Sequence, residues 1–351
     1  MDGTERDAMS DGLTRPSGGE DARASRDRGA DLRASGAGLV SALLYLFVAF
    51  APLFLVPVQI AFGRRGRRGG LVAAGACALA IAAAQGARLA FAKSLDLAGL
   101  GALALPPIAL LGALALVNAG FWSRVPATYR ILAVAAVCSI VLVPIVIRLG
   151  GDAGFTSYIE ARLDEAFAPL KSQAGDQSYD SSALAAALDP KVIAATAMRV
   201  LASSYAALLV LLLGGSWWMG NRASGPGSPG RAEAPALSAY RVPYALVWAF
   251  LLCWAAVLAA MLLKGADDAL RAASWNCALV FSLPYAAQGV GIASSYFERW
   301  KMPRFTRVAI VATAIVALAT PTAGAVVAVA LPLLGVTEVW IPYRNPKGVG
   351  A

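Results

Sequence analysis

The sequence predicts an all-α fold, a polytopic transmembrane helical bundle of about eight hydrophobic segments with one extracytoplasmic amphipathic helix. Three observations predict it. Hydrophobic residues fill 58% of the 351 positions and charged residues only 15%. The apolar residues are gathered into runs near the ~20 residues that cross a bilayer as a helix. The positive charges behind the net charge of +9 sit in short connections between those runs, as they do in cytoplasmic loops of membrane proteins. That placement accounts for the basic balance without nucleic acid as a partner.

Residues 1–36 are rich in Asp, Arg, Gly and Ser and show no periodicity, so they are expected to form a disordered polar tail. The membrane domain is expected over 37–345, with a short tail at 346–351. Its first apolar segment, about 39–62, contains Pro52 and Pro57. It is either a single span or, broken at its prolines, a hairpin. It ends in GRRGRRGG, residues 63–70, the densest positive cluster in the chain and therefore a cytoplasmic loop.

Further segments are expected at about 71–92, 98–121, 130–149, 192–218, 242–263, 270–297 and 307–335, the last with Thr320-Pro321-Thr322 as a second break point. With 63–70 inside, the clusters at Arg124 and Arg130, at Arg222, Arg231 and Arg241, and at Arg299, Lys301, Arg304 and Arg307 also fall inside. The 150–190 loop, richer in acids than in bases, falls outside. Within it Phe155, Ile159, Leu163, Phe167 and Leu170 share one helical face while Glu160, Asp164 and Glu165 hold the other. This predicts an amphipathic helix at 155–170 that lies on the membrane surface or caps a cavity.

The four cysteines lie in or beside apolar segments with no CxxC pair, and there is no histidine. They read as small buried hydrophobes. The missing histidine removes His-based acid–base and nucleophile chemistry and His-ligated metals. No catalytic residue, metal or cofactor is expected, and no enzyme.

The segment before Pro303 is the most polar span. Ser282, Tyr285, Gly289, Ile292, Tyr296 and Arg299 recur at three- and four-residue steps with Gln288 beside them. Lipid cannot satisfy such a stripe, so it faces other helices or a cavity, and Ala286, Ala287, Gly289 and Gly291 allow a neighbour to approach closely. Arg199, early in another span, either snorkels to the outer surface or meets a ligand or carboxylate.

The C-terminal third carries a recognisable order of parts: RVPYALVW, the exit GVGIASSYFERWKMPR, a long apolar segment, then LLGVTEVWIPYRNPKG with Leu334-Gly335, Glu338 and Tyr343-Arg344. It resembles the YybS-like bacterial membrane protein family, a domain of unknown function. That family is distantly similar to the substrate-binding membrane subunits of energy-coupling-factor transporters. The resemblance implies a multi-pass protein of the bacterial inner (cytoplasmic) membrane that binds a small solute among its helices. It also implies a separate ATPase-type energising module as partner beside the lipid bilayer.

On that basis Arg199, Ser282, Tyr285, Gln288 and Tyr296 are the candidate substrate-binding residues, with the 155–170 helix as a lid and binding from the outer side. Replacing Arg199 with Ala is then expected to abolish binding. The alternative is a membrane scaffold in which Glu298, Arg299, Glu338, Tyr343 and Arg344 dock another protein. A shared void around the stripe and Arg199 separates the first from the second.

Overall fold

The computed structural model describes residues 18–91, 97–151, 189–228, 234–263, 265, 267–318 and 320–344, together with 157, 160, 161, 163–165, 167 and 168. Among the described residues there is no strand. The helices are α1 (Gly18–Leu46), α2 (Leu55–Phe91), α3 (Leu97–Val117), α4 (Ala127–Gly151), α5 (Pro190–Ala223), α6 (Leu246–Leu262), α7 (Asp268–Arg299), α8 (Arg304–Leu318) and α9 (Pro321–Thr337). Three stretches, Ala49–Phe91, Pro190–Ala223 and Asp268–Arg299, are long and apolar enough to cross a membrane, with shorter apolar helices beside them. Large apolar side chains such as Leu79, Ile140, Leu252 and Leu262 are exposed on the outside, which is the surface a lipid solvent favours.

The N-terminal region departs from a single span, and proline and glycine explain how. α1 stops at Leu46, Phe47 is extended, and Val48–Leu53 forms a 3-10 turn around Pro52. There the chain folds back, with the Ser41 hydroxyl donating to the Phe54 carbonyl and Tyr45 packing 5.3 Å from Phe54. α2 breaks at Gly66, whose φ of 68° suits glycine because an L side chain is strained there. A Cβ on Gly70 would collide with the Phe62 ring, so the chain turns tightly between them. Arg68 lies 2.9 Å from Asp31, and Gly38 presses on the Ala73 carbonyl. α1 and the second half of α2 thus run side by side in the same direction.

Two consequences follow. The first apolar segment is a hairpin, and the polar start of α1 stands at the same end as 63–70. The chain is also helical from Gly18 where a disordered tail is expected to 36, because the apolar helix continues outward and is tied to the basic turn through Asp31. Residues 1–17 lie outside the described residues.

The helices that frame the candidate site are held in register by short-range contacts. Asn276 on α7 bridges to α5, its Nδ2 donating to the Ala202 carbonyl at 2.6 Å and its Oδ1 accepting from the Ala206 N–H at 3.0 Å. Gly214 on α5 faces Ile131 on α4. α9 lies antiparallel on α7, since a Cβ on Gly289 would strike the Leu331 carbonyl and one on Gly335 the Tyr285 carbonyl. The predicted last segment is two helices, α8 and α9, parted at extended Thr320 with Pro321 in the first turn of α9. Proline suits a helix start and disfavours helix in the residue before it. In the long loop 157, 160, 161, 163–165, 167 and 168 are helical, with Leu163 and Phe167 half-buried and Asp164 and Glu165 exposed. The remainder of the predicted 155–170 helix lies outside the described residues.

Candidate functional site

The polar stripe of α7 meets protein, not a void. Gln288 is buried, and its Oε1 accepts from the Val242 N–H at 2.7 Å while its Nε2 donates to the Gly335 carbonyl at 3.1 Å and to Glu338 at 2.9 Å. Glu338 forms a two-pronged ion pair with Arg344. Arg344 also donates to the Ser238 and Tyr240 carbonyls, both at 2.8 Å. The side chains of Arg344 and Glu338 are only 7% and 4% exposed. One expected ligand residue and two expected docking residues therefore form a single internal cluster that straps residues 238–242 onto α7. Gly291 adds to it, because a Cβ there would strike the Leu237 carbonyl.

The other named residues separate. Ser282 donates to the Ala278 carbonyl at 2.6 Å and accepts from Trp254 Nε1 at 3.1 Å. Tyr285 is fully buried, with its ring centre 5.2 Å from that of Phe250 and its hydroxyl without a hydrogen-bond partner among the described residues. Tyr296 is half-buried between Arg299, 5.5 Å from its ring centre, and Trp300 at 5.6 Å. Glu298 and Arg299 are exposed, and Arg299 reaches the Arg344 carbonyl at 3.4 Å. The Tyr343 hydroxyl lies 3.2 Å from Thr337 Oγ1. Arg199 is exposed in the early turns of α5, before the Ala202–Asn276 contact. It does not converge with Ser282, Tyr285, Gln288 and Tyr296 on a common void, because a long cation so near a helix start reaches solvent more cheaply than a bundle interior.

A cavity does exist, on the other side of α7. It encloses about 620 Å³ between α4, α5, α7 and the 235–241 segment. Leu283, Pro284, Ala286 and Ala287 of α7 form one wall, and Val210, Leu211, Gly214 and Gly215 of α5 form another. Ile131 and Leu132 line α4, and the absence of side chains at the glycine pair leaves the space open. The polar groups gather at one end, where Pro126, Thr128, Trp217, Tyr240 and Arg241 line it. The register places them together, since Thr128 is one turn before Ile131 and Trp217 one turn after Gly214. The Tyr240 hydroxyl is 3.1 Å from Thr128 Oγ1. Trp218 Nε1 donates to the Pro235 carbonyl at 3.1 Å.

Trp217 is buried, and its Nε1 has no hydrogen-bond partner among the described residues. Arg130, next to this wall, is buried and donates to the Val117 carbonyl at 2.9 Å, capping the C-terminus of α3. None of the five expected ligand residues lines the cavity, and neither do the described residues of the 150–190 loop. The signal for it in the sequence was slight: a Gly214-Gly215 pair near the end of the 192–218 segment, followed by Trp217-Trp218. Among the described residues, no group of three or more His, Cys, Asp or Glu is placed to hold a metal ion.

The chain matches the family described as Predicted membrane protein (DUF2232) over residues 37–332. It belongs to that family. Nothing among the curated proteins or the solved structures matches it. The matched stretch contains every residue that lines the cavity, whereas Glu338 and Arg344 lie beyond it. Family membership makes the chain a membrane protein and assigns it no activity.

Proposed function

We propose that the protein binds a small, largely apolar molecule in the cavity between α4, α5 and α7, as a transport-type membrane subunit that works with a separate energising module. The observation that carries the reading is the cavity. Its 620 Å³ falls in the range of about 300–1,000 Å³ typical of ligand pockets, and an apolar lining with a few convergent polar groups is the usual composition of such sites. The charge pattern supports a mouth on the cytoplasmic side of a bacterial inner membrane, because Arg124 lies in the loop before α4, Arg222 in the last turn of α5 and Arg241 in the segment after it. That side is opposite to the one expected from Arg199. The transport component rests on the distant similarity of the YybS-like family, which the C-terminal third resembles, to the substrate-binding subunits of energy-coupling-factor transporters.

The test uses the full chain purified gently from its own membrane and weighed by native mass spectrometry. Gly215→Leu is the informative variant, since Gly215 lines the cavity and a Cβ there meets nothing within 4 Å, so the added side chain takes up cavity space. One bound molecule per wild-type chain, lost in Gly215→Leu, is the expected result. Equal bound mass in both proteins, or none in either, overturns the reading. An ATPase partner in fixed ratio is the result expected of a transporter subunit.

A further inference from the structure

The cavity is apolar along its length and charged at one end. Among the described residues, Arg241 is the one charged residue that lines it, and no carboxylate does. Of the nearby cations, Arg344 pairs with Glu338, Arg130 donates to the Val117 carbonyl and Arg222 lies over the Trp218 ring at 5.3 Å, while Arg124, two residues before Pro126, is exposed and does not line the cavity. Arg241 has no acidic partner among the described residues. Beside it, Pro126, Ala127 and Thr128 bring the first turn of the 25-residue α4 to the same end. The leading N–H groups of a helix have no intrahelical acceptor and carry the positive end of its dipole. The unpartnered Trp217 Nε1 adds a buried donor there. Among the described residues that line this end, Arg241, the Trp217 Nε1 donor and the first turn of α4 all favour an anion.

The source of the anion follows from the opening. Leu211 lines the cavity and is 56% exposed, and Leu208, one turn earlier, is also exposed. In a bundle whose outer surface is apolar, such a side opening gives onto lipid. A molecule entering there brings a chain for the Gly214, Gly215, Ala286 and Ala287 walls and a head for Arg241.

We infer that the cavity holds one acyl chain of an anionic membrane lipid, with the acidic headgroup against Arg241 and the first turn of α4. This rests on the cavity being the binding site and names the class of its occupant.

The experiment places full-length protein in vesicles of equimolar phosphatidylglycerol and phosphatidylcholine with matched acyl chains, and counts retained lipid by native mass spectrometry. Wild type is expected to keep one lipid, phosphatidylglycerol over phosphatidylcholine by about fivefold, the ratio that one basic side chain near a headgroup gives. Arg241→Gln, at an exposed position, is expected to fold normally and to bring that ratio to about one. Gly215→Leu is expected to retain neither lipid. Equal retention of both lipids by wild type, or an unchanged preference in Arg241→Gln, overturns the anionic lipid. If Gly215→Leu still displaces a retained molecule in that case, the cavity stands as a binding site. If Gly215→Leu changes nothing, both readings fall.

Discussion

The two sides of α7 make opposite use of polar groups. On one, Gln288, Glu338 and Arg344 satisfy each other and the backbone of 238–242, with nothing left for a ligand. On the other, Arg241 and Trp217 border an apolar void, Trp217 Nε1 without a hydrogen-bond partner and Arg241 without an acidic one among the described residues. Tyr240 belongs to both, its carbonyl bonded to Arg344 and its hydroxyl close to Thr128. The difference teaches that polar residues in a span do not by themselves mark a binding site. A closed network specifies how helices pack, and an incomplete one beside empty space marks where a ligand completes it.

The comparison can be broken most forcefully at the backbone contact beneath the closed cluster. Gly335→Leu forces α9 off the Tyr285 carbonyl and is expected to cost more than about 4 kcal/mol, seen as loss of the monodisperse species after purification. Glu338→Ala leaves Arg344 buried without its counter-ion and is expected to cost about 3–5 kcal/mol in thermal or denaturant unfolding in detergent. The double variant Glu338→Met with Arg344→Leu should recover most of that loss, and failure to recover it would show that the bonds to Ser238 and Tyr240 matter more than the charges.

Asn276→Leu is expected to cost about 1 kcal/mol, because the Ala206 N–H can return to its own helix. Smallest of all, Arg199→Ala should leave both stability and retained ligand mass unchanged. A variant without ligand would restore the outer site suggested by the sequence alone.

Much of the bundle was legible because lipid imposes simple demands. Apolar runs of span length announce helices. The breaks at Pro52 and Thr320-Pro321 were visible as alternatives, yet local sequence did not choose between a span and a hairpin. That choice rested on Phe62 meeting Gly70 and Asp31 meeting Arg68, contacts whose value depends on the folded arrangement. The α7 stripe was likewise visible at helical spacing, but not what stood opposite it. Arg241 read as one more topological charge.

The sequence by itself determined that the chain is a helical membrane protein without histidine chemistry, because hydrophobicity, span length and residue inventory are properties of the chain. Only the tertiary structure decided which polar groups are satisfied and where space remains. Both depend on partners far apart in sequence, Gln288 with Glu338 and Thr128 with Tyr240, and no periodicity along one helix records what its neighbour brings.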